Sequence, residues 1–263
     1  MGFLESLYNN SIGRLVLKVG TRPWVSKIVG AYLDTPLSKV FVRSFIKKSD
    51  INLDEFEENS FRNFNECFTR KIKAELRPIG DGLVSPCDGL LSVYDIKDGL
   101  VVPVKASRYS ISDLLRNEDL AKEYDGGKCL VFRLCTHHYH RYAYPVSGSK
   151  GDNVFLKGIL HTVRPFALRD IPVFVENSRE YTVIESKEFG QVVQMEVGAL
   201  MVGKIDNYHG RGGCIKGDEK GKFLYGGSTI ILLIKKEKAK LNPEFSEEEK
   251  EVKLGEKIGE AMN

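Results

Sequence analysis

The chain has 263 residues, with 39 Lys and Arg against 36 Asp and Glu, a formal charge of +3 at pH 7. At 42% hydrophobic and 29% charged it can bury a sizeable core, which argues against disordered, collagen-like and low-complexity classes. The near balance of charge gives no case for nucleic acid, and no nucleic-acid partner is expected. Cys67, Cys87, Cys129, Cys135 and Cys214 are odd in number and form no C-x-x-C pair. That pattern speaks against a disulfide framework or structural zinc and for a reducing cytosol.

Charge is unevenly spread. Residues 1–50 carry Arg14, Lys18, Arg22, Lys27, Lys39, Arg43, Lys47 and Lys48 against Glu5, Asp34 and Asp50, so this block is +5 and the remainder −2. Arg14 and Lys18 interrupt the stretch a signal peptide would need. No apolar run approaches the roughly 20 residues of a membrane span. Residues 1–75 read as helical. Over 34–48, Leu37, Val40, Phe41 and Phe45 recur at spacings of three and four, with Lys39, Arg43 and Lys47 opposite them, which predicts one amphipathic helix with a cationic face. Such a helix either docks on the protein's own core or, with Trp24 and Tyr32 nearby, lies on anionic lipid.

After Arg77, Pro78, Ile79 and Gly80 the composition turns to short apolar runs at 90–94, 128–134, 181–185, 192–197 and 229–234, punctuated by Gly and Pro. Residues 76–263 are therefore expected to form a compact β-rich domain, with one short helix over 112–123. Ser246 followed by Glu249 predicts a capped, exposed helix in the tail. The fold class is α+β: a helical amphipathic N-terminal region, then the β-rich domain.

Three constellations could carry chemistry. Ser85, Pro86, Cys87, Asp88 and Gly89 form a polar turn entering an apolar strand, where Asp88 is either a turn residue or an acid. His137, His138, Tyr139, His140, Arg141 and Tyr142 concentrate three of the five histidines. On a strand His138 and His140 share a face and His137 the other, so a zinc site would need outside ligands, and a single general-base histidine suits the segment better. Gly226, Gly227, Ser228 and Thr229 open the last apolar run: either a tight turn or bulge, or a serine beside a sterically open Gly227 carbonyl that it could attack. The segment lacks the Lys-Ser/Thr ending of a phosphate loop.

Together and in this order, these segments resemble the pyruvoyl-dependent phosphatidylserine decarboxylases. The resemblance also takes in Phe68, Thr69, Arg70 and Lys71; Arg77, Pro78 and Ile79; Tyr139, His140 and Arg141; Val202, Gly203, Lys204 and Ile205; and Lys216, Gly217, Asp218 and Glu219 leading to the Gly-Ser-Thr motif. It implies a zymogen that cuts itself between Gly227 and Ser228, giving residues 1–227 (beta chain) and 228–263 (alpha chain). The Ser228 hydroxyl would form an ester with Gly227, and elimination and hydrolysis would leave a covalent pyruvoyl cofactor derived from Ser228. No metal is implied. Asp88 and a histidine would activate the serine. Many family members read Asp-Tyr-His-Arg-x-His, whereas here the segment runs from His138 to Ala143 and the second histidine is absent. His140 is taken as the main base and His161 as an auxiliary.

The pyruvoyl ketone would form a Schiff base with phosphatidylserine and release phosphatidylethanolamine. A lipid substrate shifts the N-terminal reading toward an anionic membrane surface, with the protein peripheral on the cytoplasmic face of the cell membrane. The two fragments are expected to remain a heterodimer, with homo-oligomerisation left open. Two other readings stand beside this one: a metal-dependent hydrolase using His137, His138 and His140, and a non-catalytic membrane-binding homologue.

Overall fold

The computed structural model describes residues 22–101, 109–160, 173–199, 205–224, 226 and 228–262. Helix α1 (Pro23–Leu33) starts with proline in its first turn, where the missing N–H costs nothing. The predicted single helix over 34–48 is instead a 3-10 stretch, Pro36–Phe41, followed by α2 (Val42–Lys48). The cause is Ser38. Its buried hydroxyl lies 2.9 Å from the Leu33 carbonyl and 2.8 Å from that of Thr35, and accepts from the Phe64 N–H at 2.8 Å. This local bonding competes with a continuous helical ladder. Leu37 and Val40 consequently stand 71% and 73% exposed, while Val42 is buried, so most of the expected apolar stripe does not pack on the protein.

Helix α3 (Phe64–Phe68) is capped by Asn63, which accepts from the Glu66 N–H. Phe64 and Phe68 pack with Leu33, Val29 and Phe45 in a small core separate from that of the β-rich body. The expected helix over 112–123 is two, α4 (Ile111–Leu115) and α5 (Glu118–Lys122). Arg116 in the left-handed region (φ 49°) ends the first, and Asn117 caps the second.

The strands follow in chain order. They are β1 (Leu83–Val84), β2 (Gly89–Lys97), β3 (Leu100–Val101), β4 (Tyr109–Ser110), β5 (Lys128–Leu134), β6 (Arg141–Ala143), β7 (Gly148–Lys150) and β8 (Val154–Leu156). Beyond them come β9 (Arg179–Ser186), β10 (Gly190–Val197), β11 (Ile205–Asn207), β12 (Gly212–Cys214), β13 (Glu219–Phe223), β14 (Ser228–Ile234), β15 (Ala239–Leu241), β16 (Lys250–Val252) and β17 (Lys257–Ala261). All five predicted apolar runs are strands. The main sheet is antiparallel and places β14 between β10 and β5, with β2 beyond β5. A smaller sheet, β11–β13–β6, covers one face of it: Gln194 on β10 donates to the Ala143 carbonyl on β6 at 3.1 Å. Helix α4 covers the other face, where the buried Arg179 donates to the carbonyls of Asp113 and Leu114.

The tail departs from expectation. Residues 246–249 form no helix; the Ser246 carbonyl accepts from the Val93 N–H at 2.7 Å, and β16 then pairs along β2. Completing the free edge of β2 outweighs the local capping signal. Among the described residues no helix is long and apolar enough to cross a membrane.

Candidate active site

Ser228 is the first residue of β14, a strand buried along its whole length. Opposed residues of an antiparallel pair share a face. Ser228 therefore faces the small sheet together with Leu134, its partner on β5, and with Ile230, whose partner on β10 is Glu196. The Ser228 hydroxyl is fully buried and, among the described residues, has no hydrogen-bond partner. Gly226, two residues upstream, has φ 133°, a conformation that only glycine adopts without strain. Gly227, on the other side of the expected cut, lies outside the described residues, as does His161.

His140 is wholly buried at the entrance to β6, where its carbonyl accepts from the Phe223 N–H at 2.9 Å. From Phe223 the chain leads to Ser228 within five residues, which ties the histidine segment to the serine. The His140 ring lies 4.1 Å, centroid to centroid, from Phe68 of the helical region. Its Nδ1 stands 2.9 Å from the His138 carbonyl. A carbonyl only accepts, so Nδ1 carries the proton and Nε2 keeps its lone pair, and Nε2 is buried without a partner. Burial lowers the pKa of this imidazole to about 3, so it is neutral near pH 7. Arg70, itself buried, holds the loop from behind by donating to the His137 carbonyl at 3.0 Å.

The expected Asp88–His140 pair does not form. Asp88 takes a bidentate bond from Arg77, at 2.9 Å to Oδ1 and 2.6 Å to Oδ2, and a third from the Leu254 N–H at 2.8 Å. A carboxylate so occupied has little left for an imidazole, and the His138 carbonyl fixes the His140 tautomer instead. Asp88 nevertheless lies at the same end of the sheet as Ser228. Leu90, Arg133 and Thr229 are aligned across β2, β5 and β14, which puts the two backbones two strand spacings, about 10 Å, apart.

Nor do the histidines form a metal centre: among the described residues no three His, Cys, Asp or Glu side chains are grouped to hold an ion. His138 accepts from the Cys135 N–H through Nδ1, and burial lowers its pKa to about 4.

Two groups went unnoticed in the sequence. Glu196 and Lys220, 0% and 1% exposed at their side chains, form a 2.6 Å ion pair between β10 and β13. Asn207 bridges them, accepting from Lys220 at 2.9 Å and donating to Glu196 at 3.2 Å. The available signal was a carboxylate inside the apolar run 192–197, which a buried strand tolerates only with a partner. Arg77 belongs to a motif in the sequence, but only the fold shows it as the cation of Asp88.

The α+β scaffold thus sets a buried serine behind a positive-φ glycine and ties it, through Phe223, to a buried imidazole whose Nε2 is without a partner, an arrangement of enzyme type. The comparisons agree. The sequence model of the phosphatidylserine decarboxylase family matches residues 64–260. The chain is 41% identical to the phosphatidylserine decarboxylase proenzyme 2 of Clostridium acetobutylicum and 41% identical to the phosphatidylserine decarboxylase proenzyme of Clostridium botulinum strain Hall; each alignment covers 98% of this chain and 92% of the relative. The Clostridium novyi proenzyme is 38% identical over the same shares. The chain belongs to the phosphatidylserine decarboxylase family.

Proposed function

We propose that the protein cuts itself between Gly227 and Ser228 and then, at a pyruvoyl group derived from Ser228, converts phosphatidylserine to phosphatidylethanolamine. The observation that carries this reading is the Ser228 hydroxyl, buried and unpartnered behind a positive-φ glycine. Ser228 suits the group, because the side-chain oxygen that is lost, as Cβ becomes a methyl and Cα a ketone, holds no hydrogen bond. Once formed, the group supplies a carbonyl that engages the substrate amine and withdraws the electron pair left by carbon dioxide.

The chain's own residues do the rest. We assign His140 Nε2 as the base that takes the Ser228 Cα proton during processing and as the group that exchanges a proton with substrate afterwards. Phe68 and the His138 carbonyl hold its ring in one plane and one tautomer. Asp88 and Arg77 neutralise each other at the sheet end and fix the backbone of Leu254, keeping the downstream segment against the upstream chain. His161 retains its place as auxiliary base.

The substrate is a lipid, and the exposed apolar side chains Trp24, Ile28, Leu37, Val40 and Phe41 alternate with the exposed cations Lys27, Lys39 and Arg43. These exposed side chains support peripheral docking on an anionic membrane at its cytoplasmic side.

Intact-mass measurement of the purified chain tests the reading. Two masses are expected, for residues 1–227 and 228–263, the smaller lacking a free amino terminus and reacting with hydroxylamine at its ketone. Ser228→Ala should give one uncut mass. A single uncut wild-type chain that decarboxylates the lipid overturns the mechanism, and a small chain beginning with ordinary serine points to proteolysis.

A further inference from the structure

We propose that the groove between α2 and residues 53–61 holds one anionic phospholipid of the membrane, with an acyl chain on its apolar floor and the phosphate on Lys39, Arg43 and Lys47. The site rests on the membrane docking just proposed and adds to it a saturable contact of one lipid with one protein.

The groove exists because the helix breaks at Ser38. From Val42 the chain turns as α2, which brings Val42 and Ile46, four residues apart, onto one face. That face packs with Leu53, Phe61 and Cys67 in a small core of its own. Val42 and Phe61 are buried, whereas Ile46 and Leu53 are only half-buried, and the space they line measures about 530 Å³. Small-molecule clefts run about 300–1,000 Å³.

Charge selects the occupant. Lys39, Arg43 and Lys47 line the groove, all three exposed, and no acidic side chain lines it with them. Among the described residues none of the three side chains has an ion pair or a hydrogen bond, and neither do those of Asn59 and Ser60, which complete the lining. Spaced four residues apart, the cations repel one another, and an anion seated among them relieves that cost. Residues 1–21 do not suit the groove, because with Arg14 and Lys18 against Glu5 they are cationic themselves. A second copy related by a two-fold axis would set the same cations against each other. An apolar floor beside unpaired cations matches a phosphate ester that carries a hydrocarbon chain. The exposed Leu37, Val40 and Phe41 of the adjoining 3-10 stretch keep the groove on the side proposed to meet lipid.

The lipid held here is not the one that reacts. A reacting head group must come to Ser228, and α3 stands between that site and the groove. Phe68 stacks on His140, while its neighbour Cys67 packs with Val42 and Phe61. A phosphate on α2 therefore stays outside the site, and its lipid is bound without being turned over.

Calorimetric titration of the full purified chain with alkyl phosphates, below their micelle-forming concentrations, provides the test. Octyl phosphate should bind one per protein. Hexyl phosphate, two CH2 groups shorter, should bind about 15-fold more weakly at the usual gain per buried CH2. Inorganic phosphate should show no saturable binding. Replacing Lys39, Arg43 and Lys47 together by glutamine should weaken octyl phosphate about 100-fold. The same variant should bind octyl glucoside, an equal chain on a neutral head, as wild type does. Ile46→Trp fills the floor and should erase the difference between octyl and hexyl phosphate; Asn59→Trp, at an exposed position, should do so without touching the core. Leu37→Ser with Val40→Ser leaves the lining intact and should weaken co-sedimentation with anionic vesicles only.

Equal binding of octyl and hexyl phosphate to wild type, inorganic phosphate binding as tightly as either, or octyl phosphate binding that survives both tryptophan variants overturns the proposal. So does an affinity that falls as protein concentration rises, which assigns the groove to a second copy, and so does a lack of any saturable binding. A chain that binds octyl phosphate but no vesicle overturns the docking reading instead and keeps the site.

Discussion

His140 shows how one buried side chain sets both chemistry and acid stability. In an unfolded chain imidazoles titrate near 6.5; burial brings His138 to about 4 and His140 to about 3. A depressed pKa means that protonation favours the unfolded chain, so the contribution is complete above pH 6.5 and is lost as pH falls toward 3. At pH 4.5 the His140 proton alone removes roughly 3 kcal/mol. The urea midpoint should therefore drop between pH 6.5 and 4.5, and His140→Gln should flatten the drop; a midpoint constant over that range contradicts the burial. A second residue pair makes a different prediction. Asp88 and Arg77 are only about a tenth exposed at their side chains, and Asp88→Asn leaves the guanidinium without its counter-charge. That should cost about 3 kcal/mol, and Arg77→Met added to it should recover much of the loss. A double variant as unstable as Asp88→Asn by thermal melting would mean that the pair is not the unit that matters. Asp88, His140 and Ser228 stand out in the sequence as candidates because each sits in a short run of unusual composition. Their partners do not. Nothing in the run from Ser85 to Gly89 says that Arg77 and a backbone N–H from residue 254 take the carboxylate, since such contacts are made by the fold and not by neighbours in sequence.

Elements divide by how much of their stability is local. The five core strands are legible because each is a short apolar run, and β14, buried along its whole length, is the extreme case. The 34–48 segment and the tail depart from their local signals because one hydroxyl or one sheet edge decides the outcome: Ser38 breaks the helix, and the open edge of β2 draws residues 250–252 into a strand. Breaking the helix leaves Leu37, Val40 and Phe41 outside the core and beside Lys39 and Arg43, on the segment proposed to dock on a membrane. Replacing Lys39, Arg43 and Lys47 together by alanine should weaken binding to anionic vesicles about 100-fold, at about 1 kcal/mol per charge, and leave the weaker binding to neutral vesicles unchanged. Replacing Leu37, Val40 and Phe41 by serine should weaken both. Co-sedimentation with the two vesicle types reads the difference, and equal losses in the cation variant would remove the electrostatic part of the docking argument.

At the scale of the molecule, the proposed cut falls where the chain is most deeply embedded. Residues 228–263 supply β14 between β10 and β5, β16 along β2, β17 against β1, and the Leu254 amide on Asp88. Ile230, Ile231, Leu232, Leu233 and Ile234 are all at most 1% exposed. Their burial is worth on the order of 10 kcal/mol before ordering costs. The fragments should therefore elute together by size exclusion in native buffer and separate only in denaturant. Refolding gives the sharper test. In the uncut Ser228→Ala chain β14 returns to its slot as part of one molecule, so the rate and yield should not depend on protein concentration. In the cut protein the central strand must be recaptured from solution, which makes recovery a bimolecular event. Diluting denatured cut protein tenfold further should lower the yield of the two-chain complex, while Ser228→Ala is unaffected. If both recover alike at every concentration, residues 1–227 complete their core without β14, and the central strand is not what holds the two chains as one body.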